Sequence, residues 1–138
     1  MKTAEELRQA LEKMRELYRE ATVVVPPDLV GVAGIFLGGC VERGVGSSFR
    51  AKGHAHNDGA GKFYRWICIR SLARLGEYQL VPQSDGKTLL FITKPSRLLM
   101  HEYAHVLTPG HSHDDTWRRK MRELGQPLPR QYQKKKNR

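Results

Sequence analysis

The chain has 138 residues, of which 39% are hydrophobic and 28% are charged, and its formal net charge is +10. These proportions are typical of one globular domain and exclude the composition of a disordered or membrane protein. No apolar run approaches the ~18 residues of a membrane span, and residues 1–20 lack the apolar stretch of a secretory signal. We therefore expect a cytoplasmic protein that does not cross a membrane.

The positive charge is concentrated near the C-terminus, where residues 117–138 hold nine basic residues and one acidic residue. Such a region either binds an anionic partner, DNA or RNA first, or serves as a solvated tail. We expect residues 1–126 to form a single domain and residues 127–138 a mobile basic tail. The candidate nucleic-acid contacts are Arg118, Arg119, Lys120, Arg122, Lys134, Lys135 and Lys136.

The N-terminal segment predicts an amphipathic helix over residues 4–21. Thr3 and Glu6 have the spacing of a capping box, and apolar residues then recur at helical intervals at Leu7, Leu11, Met14, Leu17 and Tyr18. The Gly-rich segment that follows lacks the spacing of a phosphate-binding loop. We expect it to hold a short apolar strand over residues 32–37, with turns on either side.

Two hairpins are predicted next, because extended runs flank two good turn sequences. The first joins residues 48–56 to 63–70 through Asn57-Asp58-Gly59, and the second joins residues 78–81 to 88–93 through Ser84-Asp85-Gly86. Together they predict a small, mostly antiparallel sheet.

His54, His56, Cys40 and Cys68 do not by themselves indicate a functional site. His54 and His56 alternate on a strand and so share one face of it. A second metal site or a nuclease motif is conceivable there, but exposure to solvent or to a substrate cleft is the plainer interpretation. Cys40 and Cys68 form no CxxC motif, and we read both as small buried side chains.

Two helices are predicted after Pro95. Start signals at residues 93–96 and apolar residues at helical spacing favour a helix that Pro109-Gly110 ends. A second helix is expected to begin near His113-Asp114 and to end before Gly125. The order of elements predicts an α+β fold in which a helix and a sheet precede this helical pair.

The first of these helices carries the sequence His101-Glu102-Tyr103-Ala104-His105. Residues four apart lie on one face of a helix, so His101 and His105 can share a zinc ion at ~2.0–2.1 Å. Glu102 can then take a proton from a metal-bound water as a general base. The predicted chemistry is zinc-dependent hydrolysis of peptide bonds in a polypeptide substrate.

A catalytic zinc needs a third protein ligand, and two histidines are candidates. His111 has the metzincin distance from His105, although Thr108 stands where that pattern requires glycine. His113 begins an H-D-x-x-W run, which would place Trp117 one turn later beneath the site. Asp114 would cap the second helix or accept a hydrogen bond from a ligand imidazole.

Residues 95–125 resemble the SprT-like and WLM-type zinc metallopeptidases, which are small gluzincin-like zincins. The matching positions are His101, Glu102, His105, His113, Asp114 and Trp117. The resemblance implies a zincin-like fold and Zn²⁺ as cofactor. Counted back from the aromatic residue, the family's third ligand falls on His113, which we favour; counted from the Gly-His pair, it falls on His111. SprT-like members are associated with proteins crosslinked to DNA, often through additional DNA-binding parts, and here the basic region of residues 117–138 is the candidate for that role.

A second hypothesis comes from a different functional class. The chain would be a non-enzymatic, zinc-stabilised nucleic-acid-binding protein, in which His101, His105, His111 and His113 close the metal site. Glu102 favours the enzyme, because a purely structural site has no use for a carboxylate beside its first ligand.

Overall fold

The computed structural model describes residues 3–9, 12, 21–47, 52–128 and 130–133. Helix α1 covers residues 4–9, and its start is the predicted capping box, in which the Glu6 N–H donates to Thr3 Oγ1 (3.1 Å). Glu12 is helical too, whereas Ala21, predicted as the last helical residue, begins a strand. The predicted apolar stripe after Leu7 lies outside the described residues.

The described residues form three small sheets and two further helices, so the fold is α+β. The strands are β1 (Ala21–Val24), β2 (Gly34–Leu37), β3 (Gly39–Cys40), β4 (Gly44–Val45), β5 (Gly53–Ala55), β6 (Trp66–Ile69), β7 (Gly76–Pro82) and β8 (Thr88–Pro95). They are ordered β1-β8-β7, β2-β6-β5 and β3-β4.

The prediction of one mostly antiparallel sheet is wrong, because the structure has separate sheets and two of them are mixed. The antiparallel pairs β5–β6 and β7–β8 are the two predicted hairpins. However, β1 pairs in parallel with β8, and β2 in parallel with β6. Ala21 lies opposite Thr88, far away in the chain, and turn sequences identify only strands that follow each other directly.

One face of the β2-β6-β5 sheet forms the main core. Ile35 and Leu37 of β2 lie opposite Ile67 and Ile69 of β6, and all four side chains are buried. Alternation along β5 places Gly53 and Ala55 on this same face. Helix α2 (Arg97–Val106) packs against it through Leu99 and Tyr103, among other residues.

The start of α2 is fixed by hydrogen bonds to the 3-10 turn Leu72–Arg74. Ser96 caps the helix, since its Oγ accepts from the Leu99 N–H (3.0 Å). The same hydroxyl donates to the Arg74 carbonyl (2.7 Å), and the Ser96 N–H donates to the Leu75 carbonyl (3.1 Å). The predicted helix is thus present, and its first turn is anchored to the sheet connection.

Helix α3 (Asp115–Glu123) begins and ends close to where the sequence predicts. Asp114 caps it by accepting the Trp117 N–H (3.1 Å), and Gly125 follows its end with φ +70°. Trp117 and Met121 are buried against Ala104 of α2. Among the described helices, none is long and apolar enough to cross a lipid bilayer.

Gly76 should be one of the least replaceable residues of the sheet. It has φ +122°, and an added Cβ would overlap the Lys94 carbonyl oxygen and lie 2.7 Å from the Ser96 nitrogen. We expect Gly76→Ala to lower the free energy of unfolding by about 2 kcal/mol or more, because overlap adds to a backbone penalty of order 1–3 kcal/mol. Urea denaturation followed by circular dichroism measures it.

Gly86→Ala is the matched control. Gly86 also has positive φ (+84°), but nothing lies within 4 Å of its added Cβ. We expect a loss of about 1 kcal/mol there, from backbone conformation alone. Equal losses in the two variants would mean that the crowding at Gly76 is relieved by a small shift of the strand.

Candidate metal centre

Helix α2 presents His101 and His105 one turn apart on the face away from the core. Their ring centroids are 5.1 Å apart. Glu102 lies beside them, is only 5% exposed, and lines the same cavity as both histidines. This is the arrangement that the four-residue spacing predicts.

His113 completes a group of three converging nitrogens. It lies just before the Asp114 cap of α3, and its Nε2 is 3.0 Å from His101 Nε2 and 3.2 Å from His105 Nε2. A tetrahedral zinc with Zn–N bonds of ~2.0–2.1 Å holds its nitrogens roughly 3.3–3.4 Å apart. Both distances from His113 are therefore within a few tenths of an ångström of those in such a site, and all three nitrogens lie within 4.8 Å of one another.

His111 lies elsewhere in the same loop. Its Nδ1 donates to Asp114 Oδ2 (2.7 Å), and its carbonyl accepts from Asn57 Nδ2 (3.3 Å). The His111 hydrogen bond and the Trp117 N–H together lower the pKa of the Asp114 carboxyl below its ordinary value. Of the two candidate third ligands, the structure brings His113 to the pair on α2.

Aromatic rings hold the three imidazoles in place. Trp117 is fully buried, is stacked on His105 (centroids 5.3 Å apart, planes at 19°), and directs its indole N–H to the His101 carbonyl (3.4 Å). Tyr132 is stacked on His113 (3.9 Å, 16°). The sequence predicted Trp117 beneath the site but missed Tyr132, which stands alone among Gln and Lys residues with no periodic pattern around it.

Burial sets the protonation states at the site. It lowers the pKa of His101 to about 4, helped by the nearby His105 and His113. It lowers the pKa of His105 to about 4 as well, with His113 as the next cause. Both imidazoles are therefore neutral near pH 7, as a metal ligand must be. Burial also raises the pKa of Glu102 to about 8, and a nearby cation would oppose that rise.

The group opens into a cavity of about 790 Å³. One wall is formed by α2 and the loop of residues 111–113, and Tyr132 adds to the lining. Another wall is strand β5, which is an edge strand of its sheet. The site is thus accessible to a ligand of considerable size, and it borders on a strand edge.

The predicted nucleic-acid contacts are divided between paired and exposed residues. Arg118 pairs with Asp115 and Lys120 with Glu123, both at 2.7 Å. Arg119 and Arg122 are exposed on α3. Lys134, Lys135 and Lys136 lie outside the described residues.

A second group of side chains was not foreseen as a unit. Cys40, His54, His56 and Cys68 come together, with one possible ligand atom from each lying within 4.8 Å of the others. The alternation of His54 and His56 on one strand was the available signal. The sequence did not predict the strand register that places Cys68 beside these two histidines.

Comparison with known proteins gives no relative: no protein-family model, no curated protein and no solved structure matches the chain. The functional interpretation therefore depends on the geometry of the site and on the motif.

Replacing each candidate third histidine separately should distinguish them. We expect His113→Ala to weaken the binding of one zinc ion by about 100-fold or more. Even the loss of a residue that only hydrogen-bonds a metal ligand lowers metal affinity by about 10–100-fold. His111→Ala should change zinc affinity only a few-fold, because its ring bonds Asp114. Competition with a chromophoric chelator measures both. A larger loss in His111→Ala than in His113→Ala would reverse the assignment.

Proposed function

We propose that this chain is a zinc metallopeptidase. His101, His105 and His113 hold Zn²⁺ through Nε2, and Glu102 is the general base. The observation that carries the proposal is the convergence of three Nε2 atoms at 3.0 and 3.2 Å beside a buried glutamate, on a wall of an open cavity. Three protein ligands and an open position are what distinguish catalytic from structural zinc sites.

Glu102 performs the proton transfers. Zinc held by His101, His105 and His113 would supply a Lewis acid that polarises the scissile carbonyl and lowers the pKa of a water toward ~7. Glu102 would accept a proton from the attacking water as the new C–O bond forms. It would then return the proton to the amine as the C–N bond breaks. Its burial keeps bulk water from competing for the proton.

The substrate is proposed to bind along β5. This strand pairs with β6 on one side and is the last strand of its sheet, and residues 52–55 line the cavity beside Glu102. An extended polypeptide can add to such an edge through main-chain hydrogen bonds. The edge strand would therefore select extended peptides over small molecules.

The resemblance of residues 95–125 to SprT-like and WLM-type metallopeptidases supports the same proposal, including a zincin-like fold. The order of α1, the sheets, the HExxH helix α2 and the packing helix α3 agrees with it. The rival structural site with four histidines is disfavoured by a specific contact. His111, its fourth ligand, is hydrogen-bonded to Asp114 instead.

Substitution of Glu102 tests the mechanism. We expect Glu102→Gln to keep its zinc and to lose about 10²–10⁴-fold in the rate of cleavage of an unfolded protein substrate, the usual contribution of a general base. Glu77→Gln is the matched control, because Glu77 is an exposed carboxylate on β7. Digestion of a fluorogenic protein substrate measures the cleavage rate, and metal analysis measures the zinc content. Undiminished cleavage by Glu102→Gln would remove this residue from the reaction.

We also propose that the substrates are proteins associated with nucleic acid, which the basic C-terminal region would bind. Tyr132 contacts His113, so a truncation that removed Tyr132 would disturb the site as well as the charge. Replacing Lys134, Lys135 and Lys136 by glutamine leaves Tyr132 in place. It therefore separates the effect of charge from the effect on the metal centre.

We expect this triple variant to bind single-stranded DNA several-fold more weakly at low salt, with unchanged zinc content. Each lost phosphate contact should reduce the log–log salt slope by about 0.7. Fluorescence anisotropy at several salt concentrations measures both quantities. Equal affinities would show that these lysines only solvate the tail.

A further inference from the structure

Cys40, His54, His56 and Cys68 are brought together by strand pairing. The antiparallel register of β5 and β6 places His54 directly opposite Cys68. His56 follows two residues later, on the same face of the chain by alternation, and Cys40 is contributed by β3. This face of the sheet is the one opposite Ile67 and Ile69, so the group does not belong to the hydrophobic core against α2.

The three distances from His56 to the other members of the group fit a tetrahedral ion. His56 Nε2 lies 3.2 Å from His54 Nε2, 3.4 Å from Cys68 Sγ and 3.8 Å from Cys40 Sγ. Zinc with bonds of ~2.0–2.1 Å to nitrogen and ~2.3 Å to sulfur gives edges of roughly 3.3 Å for N···N and 3.6 Å for N···S. Each observed edge agrees to within about 0.2 Å.

The surroundings support the same assignment. The second nitrogen of His56, Nδ1, lies 3.4 Å from Glu42 Oε1. A carboxylate behind a ligand imidazole fixes its orientation and increases its basicity toward a metal. The Val41 N–H donates to Cys68 Sγ (3.4 Å), a contact that stabilises a thiolate. The Ser47 hydroxyl accepts from the Cys40 N–H (2.8 Å) and holds the β3–β4 turn in place.

We infer that Cys40, His54, His56 and Cys68 bind a second zinc ion, in a closed site with four protein ligands. A Cys₂His₂ set completes the tetrahedron and leaves no position for a water, so this site is structural. It would link the β3–β4 turn to β5, the edge strand that borders the cavity. The inference goes beyond the proposed peptidase activity and does not depend on it.

The two sites can be distinguished by their ligands. Thiolate ligands give a cobalt-substituted protein an intense sulfur-to-metal charge-transfer band in the near ultraviolet, whereas a site of three imidazoles gives none. We expect the full chain, purified under reducing conditions, to bind two equivalents of Zn²⁺ by native mass spectrometry. The Co²⁺ form should show the thiolate band.

Single substitutions should remove one site at a time. Cys40→Ser should reduce zinc from two equivalents to one and abolish the thiolate band. His101→Ala, the matched control, should also lose one equivalent but keep the band. If the peptidase proposal fails, the band and the Cys40-dependent equivalent still remain, so the two proposals fail separately.

If Cys40→Ser does not fold, the inference can still be tested on the unaltered protein. Titration of the two thiols with an organomercurial should release one equivalent of zinc as both are modified. One equivalent of zinc in the full chain with no thiolate band would overturn the inference. So would free thiols that react without releasing zinc, or a Cys40–Cys68 disulfide in place of bound metal.

Discussion

The packing of α2 on the β2-β6-β5 sheet determines where His101, Glu102 and His105 lie. Gly53 of β5 lies where strand and helix meet: an added Cβ would be crowded by Ile69 Cδ1 of β6 (3.0 Å) and would touch Leu98 Cδ2 of α2 at ordinary contact distance (3.5 Å). With Leu99 and Tyr103 turned into the core, helical geometry leaves His101 and His105 on the cavity side. The Tyr103 hydroxyl, which donates to the Val30 carbonyl (3.0 Å), fixes the rotation of the helix further.

The three-histidine group depends on a second layer of packing, between α2 and α3. His113 immediately precedes the Asp114 cap of α3, and Trp117 of α3 contacts the rings of His101, His105 and His113. His113 Nε2 lies 3.0 Å from His101 Nε2 and 3.2 Å from His105 Nε2, so the three imidazoles form one compact cluster. Such a cluster is unfavourable when it is buried without a cation, and favourable with one. The packing thus holds the ligands in advance of the metal.

Local signals in the sequence were sufficient to predict helices α2 and α3. Ser96 and Asp114 cap α2 and α3, as their positions before apolar periodic segments predict, and Gly125 follows α3. The β7–β8 hairpin was readable for the same reason, because its turn chemistry is contained in a few adjacent residues. Each of these features is determined within about one turn of chain.

The parts that could not be predicted depend on contacts between distant residues. The parallel pairs β1–β8 and β2–β6 leave no local signature, because no turn joins their strands. Cys68 becomes a neighbour of His54 only through the β5–β6 register, and a shift of one residue would move it to the opposite face. Tyr132 reaches His113 from a segment whose composition is that of a tail.

Strand β5 borders both proposed metal sites. Gly53 and Ala55 face the core, His54 and His56 belong to the cysteine–histidine group, and the strand itself borders the cavity beside Glu102. Short edge strands are among the less stable parts of a sheet, and a peptide added to a moving strand would reach the catalytic group in a range of positions. A closed zinc bound to His54 and His56 would restrain that motion. The proposed structural metal would therefore support the proposed reaction by fixing the distance between a bound peptide and Glu102, because a misplacement of about 1 Å can lower a rate by about 100-fold.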